Sequence, residues 1–197
     1  MGSPNGNGNT AAVVDAILNG AMGLSTNLIK YHNLGKLNYA QGCRMLHKCG
    51  GPEGCIIRDD ITPILKDVLT ADTVILATPV MFNLPSAQFK MVFDRFYGFI
   101  AGKPKEKSLI YGKQCIIVLV SDSLSDYNFE LLEILAKSAD TFGLNVISKI
   151  IYSDDGGRLS FRDDKTAVQR AFKIGSDLYR KSEHPSAADI LVLNGSD

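Results

Sequence analysis

The chain carries no excess of either charge: 21 acidic and 21 basic side chains cancel over 197 residues. Neither a nucleic acid nor a membrane surface is therefore an expected partner. Long apolar runs are also missing. The longest uninterrupted one, Cys115-Ile-Ile-Val-Leu-Val120, is far too short to span a bilayer. The polar, glycine-rich beginning does not read as a signal peptide, and four cysteines without a secretory segment suggest reduced thiols or a cluster in the cytoplasm rather than a disulfide framework. The three histidines, His32, His47 and His184, stand in unrelated contexts, so no Ser-His-Asp arrangement is suggested. What is present is an ordinary globular composition, 45% hydrophobic and 21% charged, at a length suited to a single domain over residues 1–197.

Apolar spacing divides that domain into alternating elements. Thr10–Met22 has Val14, Ile17, Leu18 and Ala21 on one helical face, closed by Gly23. Leu24–Asn33 reads as a short strand, and residues 35–58, with three cysteines, as a loop. Asp59-Asp60 open a second helix, with acidic residues at its positive end. Thr73–Ala77 and Cys115–Val120 are continuous apolar runs of strand length, as expected where both faces of a sheet are covered. A helix from Ser86 through Phe96, another over Phe129–Phe142, a strand Val146–Tyr152 and a helix Asp164–Tyr179 follow. Residues 182–189 resemble a linker, and residues 190–197 begin with a last strand. Strands alternating with helices argue for a parallel, doubly wound α/β sheet.

Organisation centres on the first ten residues, Met1-Gly-Ser-Pro-Asn-Gly-Asn-Gly-Asn-Thr10. Glycines let a backbone approach an anion closely, and the free N–H groups of a helix start complete a phosphate site. A nucleotide triphosphate loop would need a lysine, which is missing here. A dinucleotide fingerprint would need an acidic residue near Tyr31-His32-Asn33, also missing. Such a loop normally follows a strand, and Ile190-Leu-Val-Leu-Asn-Gly-Ser196 supplies one at the far end of the chain. The element order is that of a flavodoxin-like fold with its first strand moved to the end. The expectation is a circularly permuted, three-layer α/β/α domain with five parallel strands in the order 2-1-3-4-5, that strand lying at the centre. Eight linker residues reach up to roughly 26 Å. The alternative makes residues 190–194 an extra edge strand.

Gly-Ser-Pro, Asn7-Gly-Asn-Thr10, Asp59-Asp60, Ala77-Thr-Pro-Val80, Ser86-Ala-Gln-Phe-Lys90 and Asp94-Arg95, in this spacing, resemble the NADPH-dependent FMN reductase family of flavodoxin-like flavoproteins. The resemblance covers nearly the whole chain. It implies non-covalent FMN, with Ser3, Asn5, Asn7, Gly8, Asn9, Thr10 and Ser196 around the phosphate. Thr78, Pro79, Val80, Met81, Phe82 and Asn83 would run along the isoalloxazine, and Ser121 and Asp122 would face it. It further implies NAD(P)H as co-substrate, hydride transfer to a flavin, a quinone or another small acceptor, no catalytic side chain beyond the cofactor, and a homodimer. A flavin-binding electron carrier without its own turnover is the alternative.

The sequence departs from the family where Asn5 replaces an arginine and Met81 a tyrosine. Cys43-x5-Cys49-x5-Cys55 resembles the cysteine loop of iron–sulfur flavoproteins, but Leu46 stands where a fourth cysteine is needed. The expectation is a cysteine-lined loop without its metal.

Overall fold

The computed structural model describes residues 1–22, 28–38, 40–46, 48–49, 51, 53–158, 160–178 and 190–194. Helix α1 (Asn9–Met22) is followed by a single 3-10 turn at Leu34–Lys36 and a long irregular stretch. Helix α2 (Ile61–Thr70) then buries Ile61, Ile64, Leu65 and Val68, the one-face spacing that made it legible. Strand β1 (Thr73–Met81) leads into the two-residue strand β2 (Leu84–Pro85), then helices α3 (Ala87–Asp94) and α4 (Tyr97–Ile100). Strand β3 (Gln114–Ser121), helix α5 (Asp126–Thr141), strand β4 (Asn145–Ser153), helix α6 (Lys165–Ser176) and strand β5 (Ile190–Asn194) complete the chain.

β1, β3, β4 and β5 are mutually parallel neighbours, and β2 adds an antiparallel edge on β1, giving the order β2-β1-β3-β4-β5. Helices cover both faces. On one side α1 and α6 close over Val13, Ile17, Ile116, Val118, Ile150 and Tyr152. On the other, α2, α3 and α5 close over Ile61, Phe89, Phe93, Ile117, Leu119 and Leu132. β3 lies between these layers with every residue from Cys115 to Ser121 buried, which is why it reads as an unbroken apolar run. Among the described residues, no helix is long and apolar enough to cross a membrane.

Three expectations are corrected. Residues 28–33 form no strand; residues 24–27 lie outside the described ones. β1 does not stop at Ala77: it runs to Met81 and turns back on itself, so the segment expected as a loop over 78–85 is a hairpin. The strand at 190–194 forms as expected, but not at the centre. It pairs with β4 from Lys149↔Ile190 to Ser153↔Asn194, at the edge of the sheet away from β1. The five-stranded parallel order with this segment central is therefore not the arrangement in the structure. The ladder that holds a strand is made of backbone groups common to every residue, so an apolar run identifies a strand but does not choose between two free edges.

Candidate functional site

Four segments meet at the carboxyl ends of the parallel strands: residues 3–10, the hairpin 78–85, the turn after Ser121, and the turn after Ser153. This is where ligands bind in open α/β sheets, because helix starts and loops converge there.

The first segment is held from beneath. The Gly2 amide donates to Ala77 O at 2.7 Å, and the Ser86 hydroxyl donates to Gly2 O at 2.7 Å. Ser86 also accepts from the Phe89 amide and so caps α3, while Thr78 Oγ1 accepts from the Ser86 amide at 3.0 Å. Thr78 and Ser86 are both fully buried. Gly2 must be glycine: a Cβ there would stand 2.6 Å from Phe89 Cβ. Ser3 is buried and folds the chain over itself, its Oγ donating to Asn5 O and accepting from the Asn5 amide, both at 3.2 Å. Asn5 Oδ1 then accepts from the Asn7 amide at 3.0 Å.

These bonds leave a set of donors free. Among the described residues, the backbone N–H groups of Gly6, Asn9, Thr10 and Ala11 have no acceptor; the first amide of this helix to find one is Ala12, which donates to Gly8 O. Unpaired amides at a helix start carry the positive end of its dipole and suit an anion such as a phosphate.

Two residues on distant segments complete the loop, and neither is marked by a local motif. Arg162 donates from its guanidinium to Asn7 O at 2.8 Å, which brings a cation beside a loop that has none of its own. Asp154 Oδ2 accepts from Asn9 Nδ2 at 2.9 Å, while Asn9 Oδ1 accepts from the Phe161 amide at 3.0 Å. The Asn9 side chain is thus engaged with the turn after β4, and it acts as a brace for the helix start. Ser3, Asn5, Asn7, Gly8, Asn9 and Thr10 are together in one loop; Ser196 lies outside the described residues.

The hairpin presents its tip to solvent. Phe82 and Asn83 both have positive φ, 49° and 64°, as a tight two-residue turn requires. An aromatic residue in that region is strained, and Phe82 is 100% exposed with no packing to offset the strain. Met81 and Leu84 beside it are also exposed. Phe82→Asn is expected to raise stability by about 1 kcal/mol, read as a higher urea midpoint; an unchanged or lower midpoint would contradict the strain. On the facing side, Ser121 is buried with its hydroxyl donating to Ser123 O, and exposed Asp122 is fixed through its carbonyl, which accepts from the Gly156 amide.

The cysteine loop is organised by Arg95. Its fully buried guanidinium donates from Nε to Cys55 Sγ at 2.9 Å, from Nη1 to Asp59 Oδ2 at 2.9 Å and to Gln41 O at 2.8 Å, and from Nη2 to Ile57 O at 3.0 Å. Burial by itself would raise the Asp59 carboxyl, but hydrogen bonds from Arg95 and from the Gln41 amide outweigh it and hold it below its ordinary value. Asp59 Oδ1 also accepts from the Ile61 amide, so this acidic residue at the positive end of α2 both engages the helix's first amide and pairs with Arg95. Asp94 pairs with Lys90 at the surface. Burial pushes the Cys49 thiol above its ordinary value. Cys115 is buried in β3, where desolvation pushes its thiol far up. Among the described residues, no three His, Cys, Asp or Glu side chains stand in position to hold a metal ion; His47 lies outside them.

Residues 1–153 match the family described as NADPH-dependent FMN reductase. An iron–sulfur flavoprotein of Methanocaldococcus jannaschii is 41% identical over 96 residues, 48% of this chain and 48% of that protein. One from Archaeoglobus fulgidus is 34% identical over 96 residues, 48% of this chain and 42% of that protein. The chain spans about half the length of these curated relatives. Among solved structures, an NAD(P)H:quinone oxidoreductase from Methanothermobacter marburgensis superposes with a TM-score of 0.63 at 13% identity, covering 90% of this chain and 94% of that one. A flavone reductase superposes with a TM-score of 0.66 at 17% identity, covering 94% of this chain and 62% of that one. At such identities the likeness is one of fold. With its phosphate-type loop at the strand ends and a match over residues 1–153, this chain belongs to the NADPH-dependent FMN reductase family.

Proposed function

We propose that this chain binds FMN at the carboxyl ends of its strands and reduces a flavin, a quinone or a similar small acceptor with electrons from NAD(P)H. The observation that carries the reading is the set of unpaired amides at Gly6, Asn9, Thr10 and Ala11. These donors, with the Asn7 side chain, suit a phosphate dianion. Arg162 adds the positive charge that Asn5 does not. Ser3 and Asn9 hold the loop in shape from below and from the side. Residues 78–83 and Ser121-Asp122 flank the position of the isoalloxazine, with Met81 and Phe82 offering apolar contact. FMN, when bound, supplies the hydride chemistry, taking two electrons and a proton from the nicotinamide and passing them on. The protein contributes position and electrostatics, and no side chain needs to donate the hydride or its electrons.

Two measurements on the purified chain test the reading. Titration into FMN should quench the free-flavin fluorescence, and NAD(P)H oxidation with a quinone acceptor should require that FMN. Bound flavin without nicotinamide oxidation would identify a carrier instead, and failure to bind flavin would remove the proposal altogether. Arg162→Gln should weaken FMN by about fivefold, on the order of 1 kcal/mol for an exposed charge, with the deficit shrinking at high salt. A salt-independent loss would place the role of Arg162 in loop packing alone.

A further inference from the structure

The irregular stretch between α1 and α2 carries three cysteines that the proposed activity does not use, and the fold brings two of them together. The Gly54 amide donates to Gly51 O at 2.9 Å, and Gly51 bridges Gly54 in antiparallel fashion, so the chain doubles back between Cys49 and Cys55. Continued outward, that pairing sets Cys49 opposite Ile56, one residue from Cys55. Cys55 is buried in the cluster that holds Phe96 and Phe99, and Cys49 packs half-buried against the same cluster. Burial is the chief cause that pushes the Cys49 thiol up; the Ile56 amide and the Cys55 sulfur act on it next, ahead of Cys43. Cys43 directs its thiol at Met45 Sδ instead, 3.8 Å away. Cys55 is also fixed in place. A Cβ on Gly98 of α4 would stand 2.6 Å from the Cys55 nitrogen, so the two backbones are in close contact, and Arg95 Nε holds the Cys55 sulfur at 2.9 Å. These sulfurs are not gathered as a ligand set: among the described residues, no three His, Cys, Asp or Glu side chains are placed for a metal ion.

We propose that Cys49 and Cys55 are a redox modification site, closed to a reversible disulfide by a low-molecular-weight disulfide. Accessibility sets the order of events. Cys49 follows the exposed Lys48 and is reached by solvent, whereas Cys55 is only 5% exposed. Cys49 gives up its proton and attacks one sulfur of the reagent; the reagent's S–S bond breaks, one thiolate leaves, and a mixed disulfide forms on Cys49. Cys55 then gives up its proton and attacks Cys49 Sγ, which expels the second thiolate and leaves the Cys49–Cys55 bond. The two released thiolates take up the two protons. In sum the two protein thiols lose two electrons and the reagent gains them as two small thiols. The second step is intramolecular, and a sulfur already fixed beside its target favours it over a second encounter with reagent. Arg95 keeps Asp59, Gln41 O and Ile57 O as acceptors once the Cys55 sulfur turns to Cys49, so the anchor of the loop survives the oxidation. Nothing in this sequence of steps depends on bound flavin.

Peptide mapping of the unmodified chain tests this without any variant having to fold. The reduced protein, freed of reductant, is incubated with glutathione disulfide; its remaining thiols are alkylated in denaturant and its tryptic peptides weighed. Cleavage after Lys48 and Arg58 releases residues 49–58 with both sulfurs, whereas Cys43 leaves in a separate peptide that ends at Arg44. The four alkylated cysteines of the untreated protein should fall to two, Cys43 and Cys115, and the 49–58 peptide should lose two hydrogens and both alkyl groups. Dithiothreitol should restore all four. A Cys43–Cys49 link, a link between two chains, or four alkylated cysteines after treatment overturns the proposal. Oxidation that begins only after a chelator is added overturns it as well, because a metal would then be holding the sulfurs. Cys55→Ser should retain glutathione on Cys49, since no second sulfur is there to expel it; a Cys55→Ser chain that takes up no glutathione refutes Cys49 as the point of entry.

Discussion

Replacing Asp59 by Asn should destabilise the protein by about 3–5 kcal/mol, because it leaves the Arg95 guanidinium buried without a counter-charge. Both side chains are 0% exposed, so solvent cannot take over the charge. The remaining acceptors, Gln41 O, Ile57 O and Cys55 Sγ, are neutral or weak. Urea unfolding of Asp59→Asn beside Asp94→Asn is the measurement. Asp94 pairs with Lys90 at the surface, where such pairs contribute about 0–1 kcal/mol. Equal effects for the two variants would refute the argument.

The same pair sets an acid limit. The folded carboxyl of Asp59 lies below its ordinary value, so the unfolded chain binds the extra proton first as pH falls. Its stabilisation is fully present above the ordinary carboxylate range near pH 4 and is lost as pH drops through the folded value. The Asp59→Asn variant should show a shallower loss of stability below about pH 4 than the parent chain.

Gly175→Ala should cost about 3 kcal/mol or more despite the higher helix propensity of alanine, which alone would add about 1 kcal/mol of stability. At the crossing of α1 and α6 a Cβ on Gly175 would stand 1.8 Å from Ile17 O, and one on Gly20 would stand 2.0 Å from Phe172 O. Those neighbours are backbone atoms, so no side chain can swing aside and the helices must part. α1 carries the loop 3–10 at its start, so parting it from α6 also displaces Asn9 from Asp154. Gly42→Ala is the matched control: no atom stands within 4 Å of the added carbon. Comparable midpoints for the Gly175 and Gly42 variants would show that the helices yield more easily than their contact implies.

Much of this architecture follows from local pattern. α2 declares itself by one-face spacing after an acidic start, and β3 by an unbroken apolar run. Both signals arise from burial, which imposes a period on the side chains. The loop 3–10 is legible because glycines and small polar residues before a helix have few other uses. The hairpin is not: Phe82-Asn83 lacks the glycine that marks a tight turn, and its strained backbone is visible only in three dimensions. Asp59 is legible as an acidic residue at a helix start, but its pairing with Arg95 across 36 positions is not. Arg162 and Asp154 reach the loop across more than 140 positions, by contacts for which no sequence spacing exists.

The amino-acid sequence by itself determined that this is an alternating α/β domain with a phosphate-type loop at a helix start, because periodicity, glycine and capping chemistry act over a few residues. Tertiary structure alone decided that Ile190–Asn194 takes the free edge of β4 and which side chains brace the loop. Those outcomes depend on backbone hydrogen bonds and packing between segments far apart in the chain, and such bonds carry no residue-specific signal.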